Sequence, residues 1–94
     1  MDYFAVHYTY VDDAEKIAEH RPDHRAFLSR LTGKGLVAAG AYPEATPPAA
    51  LLIVQAESIE DVEKMLADDP FRLRDVLAQV HIIRWTPVIG VFAD

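Results

Sequence analysis

The stretch from Tyr3 to Tyr10 constrains the fold most. Aromatic and β-branched residues dominate it, and at a period of two they divide into one face with Phe4, Val6, Tyr8 and Tyr10 and another with Tyr3, Ala5, His7 and Thr9. It reads as a first strand. A strand of this composition has to bury a face against a second layer, and the rest of the chain supplies candidates for that layer.

Asp12 followed by Glu15 resembles a capping box, so Asp13 to Glu19 is expected to form a helical turn or two before Pro22 interrupts. From Pro22 the helical pattern is clear. Proline stands at the first helical position, Asp23 lies in the first turn, Phe27, Leu28 and Leu31 follow at core spacing, and Gly33 and Gly35 end the helix. Leu36 to Tyr42 and Leu51 to Ala56 read as the second and third strands, joined by a loop stiffened by Pro43, Pro47 and Pro48. Ser58, with Asp61 three residues on, caps a second helix whose apolar stripe is Ile59, Val62 and Leu66, with Met65 beside it. A short helical segment is expected from Pro70 to Asp75, and Val80 to Trp85 is the last core strand, ended by Pro87. The apolar tail from Val88 to Phe92 is available to add a strand against a partner.

The order β-α-β-β-α-β implies an α+β, ferredoxin-like domain: an antiparallel sheet with two helices on one face. The other face would carry Tyr and Ile side chains, and a 94-residue chain commonly buries such a face by forming a homodimer. The length fits one domain, residues 1–94. A net charge of −6, with neither sign gathered into a block, argues against nucleic acid and anionic membranes as partners. The chain has no cysteine, hence no disulfide, no thiolate nucleophile and no zinc–thiolate site. With neither a basic leader nor a membrane-length apolar run, a cytoplasmic location is the expectation.

Two polar residues stand on faces that should be buried. His24 lies three, four and seven residues before Phe27, Leu28 and Leu31, so it shares their stripe near the expected start of the first helix. Asp69 lies three residues beyond Leu66, where the stripe of the second helix would continue if its phase persists. An acidic residue directly before proline is also what a helix N-cap looks like, and one carboxylate has oxygens for both tasks.

The helix opening Arg21-Pro22-Asp23-His24-Arg25-Ala26-Phe27-Leu28, the strand ending Ala39-Gly40, the motif Asp69-Pro70-Phe71 and the final Ile83-Arg84-Trp85 together resemble the YCII-related domain family. The resemblance spans nearly the whole chain. It implies a ferredoxin-like fold assembled as a dimeric α/β barrel, and it makes His24 and Asp69 the His–Asp pair proposed as the family's active site. It also implies kinship with a dehydrochlorinase acting on a chlorinated hydroxyhydroquinone. The chain departs from the family at Ala41, where proline is frequent, and at the loop Pro47-Pro48-Ala49-Ala50, which replaces a more Gly-rich turn.

A carboxylate that accepts the proton of one imidazole nitrogen leaves the other as a base suited to removing a proton beside a carbonyl or phenol. No nucleophile is evident beside the pair, which favours acid/base over covalent chemistry. Tyr8, Tyr42, Phe71 and Trp85 are candidates to line a pocket for an aromatic substrate, and Arg21 and Arg84 to hold a carboxylate or phenolate. His20 and His24 have the spacing of a two-His metal face, but Pro22 is expected to leave His20 outside the helix, and no metal or other cofactor is expected. His7 and His81 are expected to pack or face solvent. The leading expectation is a small cofactor-independent enzyme performing elimination, hydrolysis or isomerisation on a small molecule. The alternatives are a dimeric ligand-binding module with a structural His–Asp pair and a cofactor-free monooxygenase on the same fold.

Overall fold

A computed structural model describes residues 1–93. The elements are β1 (Asp2–Tyr10), α1 (Ala14–Leu31), β2 (Leu36–Tyr42), β3 (Ala49–Ala56), α2 (Ile59–Leu66), α3 (Pro70–Leu73) and β4 (Leu77–Trp85). The four strands form one sheet in the order β2-β3-β1-β4, every neighbouring pair antiparallel. This is the ferredoxin-like α+β arrangement, with α3 as a single extra turn before the last strand.

The alternation in β1 selects the core. Phe4, Val6, Tyr8 and Tyr10 are buried on the helix side together with Leu52 and Val54 of β3, and Ile17 and Leu28 of α1 and Val62 and Leu66 of α2 pack onto them. Val62 and Leu66 are completely buried, each contributing about 1.5–3 kcal/mol relative to exposure. On the opposite face Tyr42, Ile83 and Trp85 remain exposed.

Two sequence expectations are corrected. The first helix does not begin at Pro22: it runs without interruption from Ala14, and its N-cap is Asp13, whose carboxylate accepts from the Lys16 N–H, rather than Asp12. Pro22 lies inside it. The ring removes the bond to the carbonyl of Ala18, but both residues are exposed, so water can serve that carbonyl. His20 is therefore helical and half-buried, with Glu19 as its neighbour at 3.6 Å, and His24 sits in mid-helix rather than near the N-terminus.

Second, α2 stops at Leu66, and Asp69 is not its continuation but the N-cap of α3. In the single chain the tail forms turns: Phe92 packs against Tyr3 and Trp85, while Val88, Ile89 and Val91 are exposed. Of the remaining boundaries, β3 and β4 start two and three residues before the expected Leu51 and Val80, and α3 ends two before the expected Asp75. Ser58 caps α2 by accepting from the Asp61 N–H, and β2 spans the expected residues. Gly33 and Gly35, at φ of +80° and +119°, make the turn out of α1 that side-chain-bearing residues disfavour.

Candidate active site

Asp69 is brought to α1 by two local choices. The Ala67-Asp68 turn carries the chain off the end of α2, and Pro70 then sets the first turn of α3 with Asp69 as its cap. The Asp69 side chain is fully buried, a position that is costly for a carboxylate without donors. It has three. The Phe71 N–H donates to Oδ1 at 2.9 Å, His24 Nδ1 lies 2.8 Å from the same oxygen, and the Tyr8 hydroxyl donates to Oδ2 at 2.9 Å. The capping role and the histidine-orienting geometry thus occur in one side chain.

The carboxylate accepts only, so the imidazole must donate from Nδ1. His24 is further held face to face on the Phe71 ring, with centroids 3.9 Å apart and planes 4° from parallel. Among the described residues Nε2 has no hydrogen-bond partner, yet it is not a sealed-off polar atom. It opens into a cleft of about 420 Å³. The cleft lies between α1 and the β2–β3 side of the sheet, with Leu28, Leu36, Ala50 and Leu52 as apolar wall, Phe71 beside the imidazole, and Tyr10, Arg21 and Arg25 contributing polar groups.

The two tyrosines of β1 have different parts. Burial, reinforced by the charge of Asp69 and the hydrogen bond to it, pushes the Tyr8 phenol far above its ordinary range, so it is a permanent donor to Asp69. Burial also raises Tyr10, opposed by the positive charges of Arg21 and Arg25, and its ring meets Phe71 edge-on at 5.2 Å.

Of the residues singled out in the sequence, His24, Asp69, Tyr8, Phe71 and Arg21 gather here, although Tyr8 lies behind Asp69 and not on the cleft wall. Tyr42 and Arg84 do not join them. Tyr42 projects from the opposite face of the sheet and stacks on His7, its hydroxyl 3.4 Å from Nδ1. Trp85 also lies on that face, packed against Tyr3. Arg84 pairs with Asp2 at 3.0 Å and stands opposite Phe4, four residues along β1 from Tyr8, or about 13 Å. Sequence reasoning missed Tyr10 and Arg25. Their signals were present: Tyr10 shares the strand face of Tyr8, and Arg25 lies one turn after Arg21. Among the described residues no group of three or more His, Asp or Glu side chains is placed to hold a metal, and no helix is long and apolar enough to cross a membrane.

Comparison with solved structures agrees with this architecture. Similarity is high to 5-chloro-2-hydroxyhydroquinone dehydrochlorinase (TftG) from Burkholderia phenoliruptrix AC1100 in complex with 2,5-dihydroxybenzoquinone, with a TM-score of 0.76 at 20% identity over 98% of this chain and 99% of that one. Rv0793 from Mycobacterium tuberculosis is more distant, with a TM-score of 0.54 at 13% identity over 94% and 97% of the two chains. No curated protein sequence matches closely enough to count as a relative. Residues 1–86, the whole of the sheet and its helices, match the YCII-related domain, and the chain belongs to that family.

Proposed function

We propose that the protein is a small enzyme in which His24 acts as general base and acid on a small organic molecule, and Asp69 holds the imidazole in the productive tautomer. The observation that carries this reading is the asymmetric environment of the ring: Nδ1 is tied to a buried carboxylate while Nε2 is free at a cleft. In the favoured reaction, an elimination, Nε2 takes a proton from a carbon or hydroxyl of the substrate. The electron pair released forms a new double bond, and the leaving group departs with its own bonding pair. The imidazolium is stabilised by Asp69 and returns the proton to solvent. No oxidant or reductant is needed. The reaction printed in the name of the structural relative, a dehydrochlorination of a chlorinated hydroxyhydroquinone, is of this kind and supports the reading.

The test is chloride release from a panel of chlorinated hydroquinones by the wild-type protein and by His24→Asn. Loss of release on substitution, with folding retained, is the expected result. Wild-type protein inert across halogenated, ester and enolisable panels, but binding their members, would favour the non-catalytic ligand-binding reading.

The dimer belongs to the same proposal. The open sheet face presents Tyr42, Ile83 and Trp85, and the adjoining tail presents Val88, Ile89 and Val91, all exposed in a single chain. A second copy covering that face would complete an α/β barrel. Sedimentation should give twice the chain mass for wild type and a monomer for Ile83→Glu. A monomeric wild-type protein at micromolar concentration would remove this part of the reading.

A further inference from the structure

We propose that the cleft over His24 is selective for a small organic anion with an apolar body, whose carboxylate or phenolate is held by Arg21 and Arg25 while the Tyr10 hydroxyl donates a further hydrogen bond. The inference rests on the reading of this cleft as the substrate site and specifies the class of molecule it takes.

Three observations carry it. The chain is acidic, at −6 overall, yet the cleft is lined by two arginines and by no aspartate or glutamate, since Asp69 is sealed behind the imidazole and occupied by its three donors. Arg21 and Arg25 stand four residues apart on α1, and among the described residues neither forms an ion pair. Like charges one helical turn apart work against the helix by a few tenths of a kcal/mol, and an anion seated between the two guanidiniums reverses the sign of that interaction. Most of the remaining wall is apolar, with Leu28, Leu36, Ala50 and Leu52 in it and Ser29 and Thr32 as its polar members, and the cleft volume of about 420 Å³ suits a body of one ring. Tyr10 completes the recognition. Its hydroxyl is neither paired with another side chain nor sealed from the cleft, and its raised pKa keeps it a donor at neutral pH. A large polyanion is disfavoured by the chain's net charge of −6.

Equilibrium binding with benzoate and its neutral isostere benzamide tests this without any turnover. Benzoate is expected to bind the wild-type protein at least about tenfold more tightly than benzamide, with affinity falling as salt is raised. The exposed double substitution Arg21→Gln/Arg25→Gln should abolish that preference, and Tyr10→Phe should weaken benzoate by a smaller factor. His24→Asn should leave the preference in place, which separates this inference from the proposed chemistry: a protein that binds benzoate selectively but releases no product retains the anion site and loses the enzymatic reading. Equal affinity for the two probes, no benzoate binding at millimolar concentration, or an unchanged preference in the double variant would overturn the proposal.

Discussion

His24 and Asp69 are 45 residues apart in the chain, and their side chains meet at 2.8 Å with no exposure of the carboxylate to solvent. Burial makes this contact stronger than a surface pair and also makes it obligatory, because a carboxylate without donors is not tolerated there. The fold brings the pair together through two independent devices, the stripe of α1 and the cap of α3.

Asp69→Asn keeps the shape but replaces an acceptor-only group with one that also donates, so it opposes either the Nδ1–H of His24 or the Tyr8 hydroxyl. Turnover should fall by about 10²–10⁴-fold. Denaturant unfolding should show a loss of about 1–3 kcal/mol. An effect on stability alone, with turnover intact, would assign Asp69 to capping only.

Tyr8→Phe removes the donor to Oδ2 and should cost about 1–3 kcal/mol by the same measurement. The raised phenol also gives wild type a signature at high pH. The folded state keeps the proton that the unfolded chain releases near pH 10.0, so the contribution is fully present below that pH and is lost progressively above it. Unfolding followed from pH 8 to 11 should show stability falling more steeply in wild type than in Tyr8→Phe.

Much of this was legible in the sequence, and the failures have physical causes. The parity of β1 set the core face, and Ser58 and Pro70 placed the starts of α2 and α3, because those signals act over a few residues. The meeting of His24 with Asp69 was reached partly by a mistaken route. The phase of α2 does not extend to Asp69, and the cap geometry of α3 aims the side chain instead. Tyr42 was misplaced by a bulge. Leu36 lies opposite Val54 on the core face, but Ala38 already lies opposite Ile53 on the other, so Tyr42, which shares the parity of Leu36, emerges on the open side. One extra residue in a ladder leaves no mark in hydrophobic periodicity. Pro22 misled differently: local propensity forbids what packing of Ile17, His24 and Leu28 along one continuous helix enforces.

That tension at Pro22 is measurable. Pro22→Ala restores the missing helical hydrogen bond at an exposed position and should raise stability by about 1–3 kcal/mol in urea unfolding. A decrease would mean that the proline fixes a bend on which the packing of α1 depends.

Arg84→Ala and Tyr42→Phe serve as controls for the geometry of the site. The Arg84–Asp2 pair is largely exposed and should be worth less than about 1 kcal/mol, and Tyr42 faces away from the cleft. Neither substitution should alter turnover or benzoate affinity by more than about twofold. A large loss from either would place the substrate elsewhere on the sheet.

The arrangement of His24 and Asp69 is tested most directly by the tautomer of the imidazole. Nitrogen-15 correlation spectra of the histidine rings at neutral pH should show neutral His24 protonated at Nδ1 with Nε2 bare, the form less favoured in free histidine, and Asp69→Asn should shift that balance. A neutral His24 ring protonated at Nε2, or one averaging between the two forms as in water, would contradict the account.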